Sequence, residues 1–197
     1  YVEDIRAKIM LTEIIAAHKR DLVQRCQIIP AGASSVVQAL GQMVVTNRFP
    51  RPTRVFLDGD QGFALGCTSL PGEDAPERVV FEVLKTKGWL NLAARTGRDH
   101  ASIADECSRA MLATDEHEWV NLVATKLVLG GDILWQAMCA EWVKECLASE
   151  DAAKITVPIE EALIGLPWKA PAIVEATTAT TPAPSASPNE QRQLFGQ

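Results

Sequence analysis

Arg54-Val55-Phe56-Leu57-Asp58-Gly59-Asp60 is the stretch that decides the fold. Val55-Phe56-Leu57 is a compact β-branched, aromatic and aliphatic run of strand length, and it ends on two acids flanking a glycine. Working back from it, Asn47 to Pro52 is a loop with breakers, and Ser34 or Ser35 is placed to cap a helix running to about Thr46. Gln27-Ile28-Ile29 is a short apolar run that Pro30-Ala31-Gly32 turns. From Asp4 to Arg25, Ile5, Ile9, Ile14 and Leu22 sit among charges as on an amphipathic helix, and Tyr1-Val2 reads as the end of a strand. Such a start, without methionine, suggests a fragment cut at a strand. The order βαβαβ implies a mostly parallel sheet with helices on its faces.

In a parallel sheet the C-terminal ends of the strands meet at one edge, where such folds place their sites. Glu3 follows the first strand, and Asp58 and Asp60 follow the third, so three carboxylates converge if these strands are neighbours. In an extended segment Asp58 and Asp60 point to one side, and Gly59 leaves the backbone free to bend both toward one cation. Carboxylates crowded without bases repel one another; a hard cation such as Mg²⁺ removes that repulsion. A cation held this way suits phosphodiester cleavage or transfer. Each part also has a plain explanation: Asp-Gly is a turn signal, and a glutamate opening a helix answers the helix dipole. The combination is more specific than either part.

Tyr1-Val2-Glu3-Asp4, Ile28-Ile29-Pro30-Ala31-Gly32 and Val55-Phe56-Leu57-Asp58-Gly59-Asp60 together resemble the Toprim pattern of topoisomerases, primases and OLD-family nucleases. The PAG turn, the DGD and Leu70-Pro71-Gly72 are most similar to the OLD nucleases attached to ABC-type ATPase domains. The resemblance covers roughly the first 75 residues. It implies a Toprim-like (Rossmann-like) α/β core with Glu3 as metal ligand or general acid/base and Asp58 and Asp60 as metal ligands. It further implies Mg²⁺ or Mn²⁺ as cofactor, DNA as substrate, an ATPase domain or subunit as partner, oligomerisation through that ATPase, and a part in defence against phage. The chain departs from the family pattern at two places. Gly62 stands where topoisomerases carry a third acid, and Ala7 stands where OLD nucleases often carry a second. Its one tyrosine, Tyr1, lies in the first strand. A primase or topoisomerase fragment, or a Toprim module without catalysis, are the alternatives.

Beyond the DGD the pattern becomes helical. Residues 1–73 read as the catalytic core, 74–168 as a helical subdomain and 169–197 as a disordered tail, since Thr, Ala, Pro, Ser and Gln dominate from Ala176 onward. Helices are expected over Arg78–Lys87, Leu90–Arg95, Ala101–Ala113, Glu116–Leu129 and Ile133–Ala148. Glu73, Asp74 and Glu77 are candidates for a second metal site, with Glu82 behind them. Asp74-Ala75-Pro76-Glu77 also has the form of a capping box, which explains two of these acids without a ligand. Arg48, Arg51 and Arg54, and again Lys85, Lys87, Arg95 and Arg98, are groups that can touch a phosphate backbone or simply face solvent. Trp135 and Trp142 are seven apart with Met138 and Cys139 near them, a core stripe. His117, among Asp115, Glu116 and Glu118, reads as a polar helix start.

The hydrophobic fraction is 47% and the charged fraction 22%, ordinary for a globular chain, and the net charge of −6 argues weakly against DNA binding by this part alone. Cys26, Cys67, Cys107, Cys139 and Cys146 make no CxxC pair and have no zinc spacing with histidine, so they read as reduced core thiols. No apolar run reaches the roughly 20 residues of a membrane span, and no secretory leader is present. These features point to the cytoplasm.

Overall fold

The computed structural model describes residues 1–170. Its short strands are held from both faces. β1 (Val55–Leu57) pairs in parallel with β2 (Cys67–Ser69), in the register Val55↔Cys67, Phe56↔Thr68 and Leu57↔Ser69. On the other side of β1, the Phe56 N–H donates to the Tyr1 carbonyl at 2.9 Å, and Val2 makes a parallel bridge with Pro30. All three β1 residues are buried. This explains their continuous apolar run, because a strand covered on both faces has no polar side to show. Successive side chains point opposite ways, so Phe56 enters one core while Val55 and Leu57 enter another.

The smaller core is roofed by α3 (Ser34–Val45), whose Val37, Leu40 and Val44 fall at helical spacing over Val55, Leu57 and Cys67. Gly41 lets this helix lie close: a Cβ there would meet Cys67 Sγ and stand 2.7 Å from the Leu65 carbonyl oxygen. The larger core is built on α1 (Ile5–His18). Ala7, Met10, Leu11, Ile14 and Ile15 form its buried stripe. Around that core pack α2 (Arg20–Arg25), α4 (Pro76–Thr86), α5 (Leu92–Thr96), α6 (His100–Ala110), α7 (Glu116–Leu127), α8 (Gly131–Glu145) and α9 (Ser149–Leu163). The chain is thus mixed α/β, predominantly helical, with a small parallel sheet. Val2, Phe56 and Leu70 belong to the same apolar cluster as the later helices, so the core runs unbroken across residue 73. Among the described residues no single helix is long and apolar enough to cross a membrane.

Several local expectations are corrected. The first helix breaks at Lys19 (φ −148°, ψ 66°), giving α1 and α2 instead of one element. Ser34 is the first helical residue, not a cap; Ala33 precedes it without a side-chain bond. No capping box forms at α4 either. Its N-cap is Ala75, while Asp74 accepts from the Ala75 N–H at 2.9 Å and pairs with Arg78 at 3.2 Å. The largest omission is α9, a helix absent from the expected set, with Pro158 inside it. A proline there costs a backbone hydrogen bond. Burial of Ala152, Ile155, Ile159 and Ala162 along one face offsets that loss. The Trp135/Trp142 stripe does lie in the core with Met138 and Cys139, and all five cysteines are free. The tail expected over 169–197 falls, from residue 171, outside the described residues.

Arg6 joins the strand end to the helices. Its guanidinium donates to Asn121 Oδ1 at 2.7 Å and to the Gly131 carbonyl at 3.3 Å, and lies 6.0 Å from the centre of the Trp135 ring. Trp135 Nε1 in turn donates to the Arg6 carbonyl at 2.9 Å. Replacing Arg6 by Met keeps the bulk but leaves two acceptors and buried Glu77 without their cation. The expected loss is about 3 kcal/mol of stability, read as a lowered urea midpoint. An unchanged midpoint would mean that Arg6 is not the tie.

Candidate acidic site

Asp58 is the first residue after a strand buried on both faces, and its Oδ1 stays buried. The chain does not continue extended beyond it. Gly59–Gln61 is a 3-10 turn, so Asp58 and Asp60 do not share one side of a strand as expected. Asp58 is half-buried, whereas Asp60 is exposed and accepts from the Gln61 side chain at 3.0 Å. The glycine between them serves a close approach. A Cβ on Gly59 would meet the Gly72 carbonyl oxygen and stand 3.0 Å from that of Asp74. This contact holds the 72–74 loop, and hence the start of α4, against the strand end.

The first and second strands expected at Tyr1-Val2 and Ile28-Ile29 are reduced to one isolated bridge, Val2 to Pro30. Glu3 follows it, and its Oε1 accepts a long hydrogen bond, 3.5 Å, from the Asp58 N–H. Asp4 caps α1 by accepting from Ala7 N–H at 2.8 Å. Glu77, in the first turn of α4, is 2% exposed. It faces His117 in the first turn of α7, with Nδ1 and Oε2 3.5 Å apart. Three helix starts, those of α1, α4 and α7, therefore supply carboxylates or an imidazole to one place. Their partial positive ends offset part of the accumulated negative charge.

The electrostatics confirm the crowding. Burial, followed by the charges of Glu3, Asp4, Glu77 and Asp60, pushes the Asp58 carboxyl up to about 8. Burial also raises Glu3, with Asp60 and Asp4 adding to it, against the opposing pull of the Asp58 N–H and His117. Glu77 is raised by burial despite its own backbone N–H, His117 and Arg6. Burial alone would lower His117, but Glu77, Asp115 and Glu116 outweigh it and the imidazole is raised. Asp58 Oδ1 is buried without a hydrogen-bond partner. An orphaned carboxylate oxygen among other carboxylates is the place for a proton or a cation, and an all-oxygen donor set suits Mg²⁺ or Mn²⁺. As the side chains stand, no three His, Cys, Asp or Glu residues among those described form a closed ligand set.

The structure thus brings Glu3, Asp58, Asp60 and Glu77 together and leaves Glu73 exposed outside the group. Asp74 is committed to Ala75 and Arg78, and Glu82 is exposed. Of the second basic group, Arg95 is paired to buried Glu141 at 2.6 Å and Arg98 donates to the Leu127 and Val128 carbonyls. Lys85 and Lys87 are exposed. Asp4, Arg6 and His117 were missed as site residues. For His117 the only signal was its acidic neighbourhood, which also describes an ordinary helix start. No family model, no curated protein and no solved structure matches this chain.

The raised Asp58 carboxyl has a consequence for stability. Between its ordinary value near 3.9 and about 8, the folded chain holds a proton that the unfolded chain has released. The stabilising contribution is full below that window and is lost as pH rises through about 8. Without added cations, Asp58→Asn should therefore gain melting temperature relative to the unsubstituted chain between about pH 5 and pH 9. A difference that stays constant over that range would remove Asp58 as the titrating group.

Proposed function

We propose that this chain is the metal-dependent catalytic part of a DNA-cleaving enzyme, a Toprim nuclease nearest the OLD type. The observation that carries the reading is the buried, partnerless oxygen of Asp58, surrounded by carboxylates from separate parts of the chain. Glu3, Asp58 and Asp60 would hold the cation, with Glu77 beside them. When bound, Mg²⁺ or Mn²⁺ supplies Lewis acidity toward a phosphoryl oxygen. The chain's own contribution is placement. Glu3 is fixed against the Asp58 backbone, and exposed Asp60 lies at the rim where a substrate enters. Glu77, whose side chain is 3% exposed, faces Nδ1 of His117, whose side chain is 62% exposed. A carboxylate on one ring nitrogen sets the imidazole's orientation and leaves Nε2 for the solvent side.

On this reading an ATPase domain, on the same natural chain or a separate subunit, controls access to DNA and provides oligomer contacts. The setting is the cytoplasm, and the OLD resemblance suggests defence against phage. A second reading, a Toprim module that binds or assembles without cutting, is favoured by two observations. No ligand set is closed among the described residues, and Ala7, where a second acid would stand, is fully buried. A primase or topoisomerase fragment has less support. Tyr1, the only tyrosine, lies beside β1 with its ring 5.7 Å from that of Phe49.

Incubation with supercoiled plasmid and Mn²⁺ should give nicked or linear DNA, reduced at least about 100-fold in Asp58→Ala and Asp60→Ala. Calorimetry on the same samples should give Mn²⁺ binding that these variants lose. Cation binding without cleavage would favour the non-catalytic module; absence of binding would sink both the metal site and the nuclease.

A further inference from the structure

The opposite end of β1 carries a different surface. Arg54 stands just before the strand and Asp58 just after it, four residues apart, or about 13 Å of extended chain. At the Arg54 end, the 47–54 loop and the 165–168 stretch enclose a groove of about 430 Å³. Phe49 and Trp168 are among its lining residues, together with Arg51 and Arg54. Pro50 and Pro52 bracket Arg51 and fix φ on both sides of it, so the loop is stiff before any ligand arrives. Arg54 donates to the Thr53 and Leu166 carbonyls at 3.0 Å each, which joins the groove's two walls, and its Nε is buried without a partner.

Charge here is opposite to that of the acidic end. Glu161 lies near Arg54, yet Arg48, Arg51 and Arg54 make no ion pair among the described residues. Arg48 and Arg51 are exposed. Two exposed arginines without carboxylate partners, in one loop with Phe49 and across a groove that Trp168 also lines, match a phosphate-linked chain of planar bases. The charge binds backbone phosphates, and the rings stack on bases. A recess of this size accepts unstacked bases; in a duplex the faces of the bases are already covered by their neighbours.

We propose that the groove lined by Phe49, Arg51, Arg54 and Trp168, together with exposed Arg48 of the same loop, is a binding site for single-stranded DNA. It is separate from the acidic site and requires no cation. The test is fluorescence anisotropy of a labelled oligothymidylate of about 20 nucleotides, with the 197-residue chain in EDTA at about 50 mM salt. The double variant Arg48→Glu/Arg51→Glu should weaken binding at least about tenfold and reduce the magnitude of the slope of log affinity against log salt by about 1.4, the value for two phosphate contacts. Phe49→Ala and Trp168→Ala should each weaken it roughly tenfold, as loss of one stacked base does. Lys154→Glu, on α9, should leave it unchanged. Circular dichroism of each variant separates lost binding from lost folding. The proposal is overturned if the oligonucleotide does not bind, if folded arginine variants bind as the unsubstituted chain does, or if Lys154→Glu weakens binding as much. Equal competition by a duplex, or by free thymidine monophosphate, would likewise overturn it. Because no cation is present, these outcomes are independent of whether the acidic site cleaves DNA.

Discussion

The constraint on which the site depends is that β1 has no solvent side. Val55, Phe56 and Leu57 feed two apolar cores, so the residue that follows is delivered into low dielectric whatever its chemistry. That residue is Asp58. Its surroundings then work against each other. Glu3, Asp4 and Glu77 add like charge, which drives the carboxyl toward its protonated form. The partial positive ends of three helix starts work in the other direction, while the Asp58 N–H favours the ionised form of Glu3 and not of Asp58 itself. The balance leaves an oxygen that is buried and has no partner. Strain of this kind is costly to keep, and is characteristic of sites that bind something charged.

Arg6 limits the cost. It is the buried cation beside Glu77, and its hydrogen bonds reach the side of α7 and the start of α8. The backbone of the same residue receives Trp135 from the centre of α8. One residue of α1 therefore both lowers the electrostatic cost of the acidic group and sets the helices around it. Separating the chain at residue 73 would cut through this arrangement. Glu77 and His117 lie beyond that boundary, and the site is incomplete without them.

Much of this was legible in the sequence, for identifiable reasons. A continuous apolar run ending in acids marks a doubly covered strand, and it located β1 and Asp58. The spacing of Trp135, Met138, Cys139 and Trp142 located the core face of α8. What the sequence hid were contacts made at a distance. Gly59 looked like a hinge between two ligands, but it is needed because the 72–74 loop packs against it. Asp74 and Glu77 had the spacing of a capping box, but Asp74 was drawn to Arg78 and Glu77 to His117. α9 forms around Pro158 because burial of one face outweighs a local propensity that speaks against a helix there. Arg6 carries no local signal, and His117 only an acidic neighbourhood that any helix start can show, because their partners Asn121 and Glu77 lie more than 35 residues away.

The net charge of −6 gives a poor picture of what this chain can approach. Acids gather where the strands end and α1, α4 and α7 begin, while Arg48, Arg51 and Arg54 gather where β1 starts. Field depends on local arrangement, and over a separation of about 13 Å in salt the two ends act nearly independently. An overall negative charge lowers the background affinity of a chain for polyanions, and any local attraction must come from places where arginines stand without carboxylates. A uniformly basic domain would bind DNA anywhere on its surface. Segregated charge confines each kind of attraction to its own end, so the acids at one end of β1 are not neutralised by the arginines at the other.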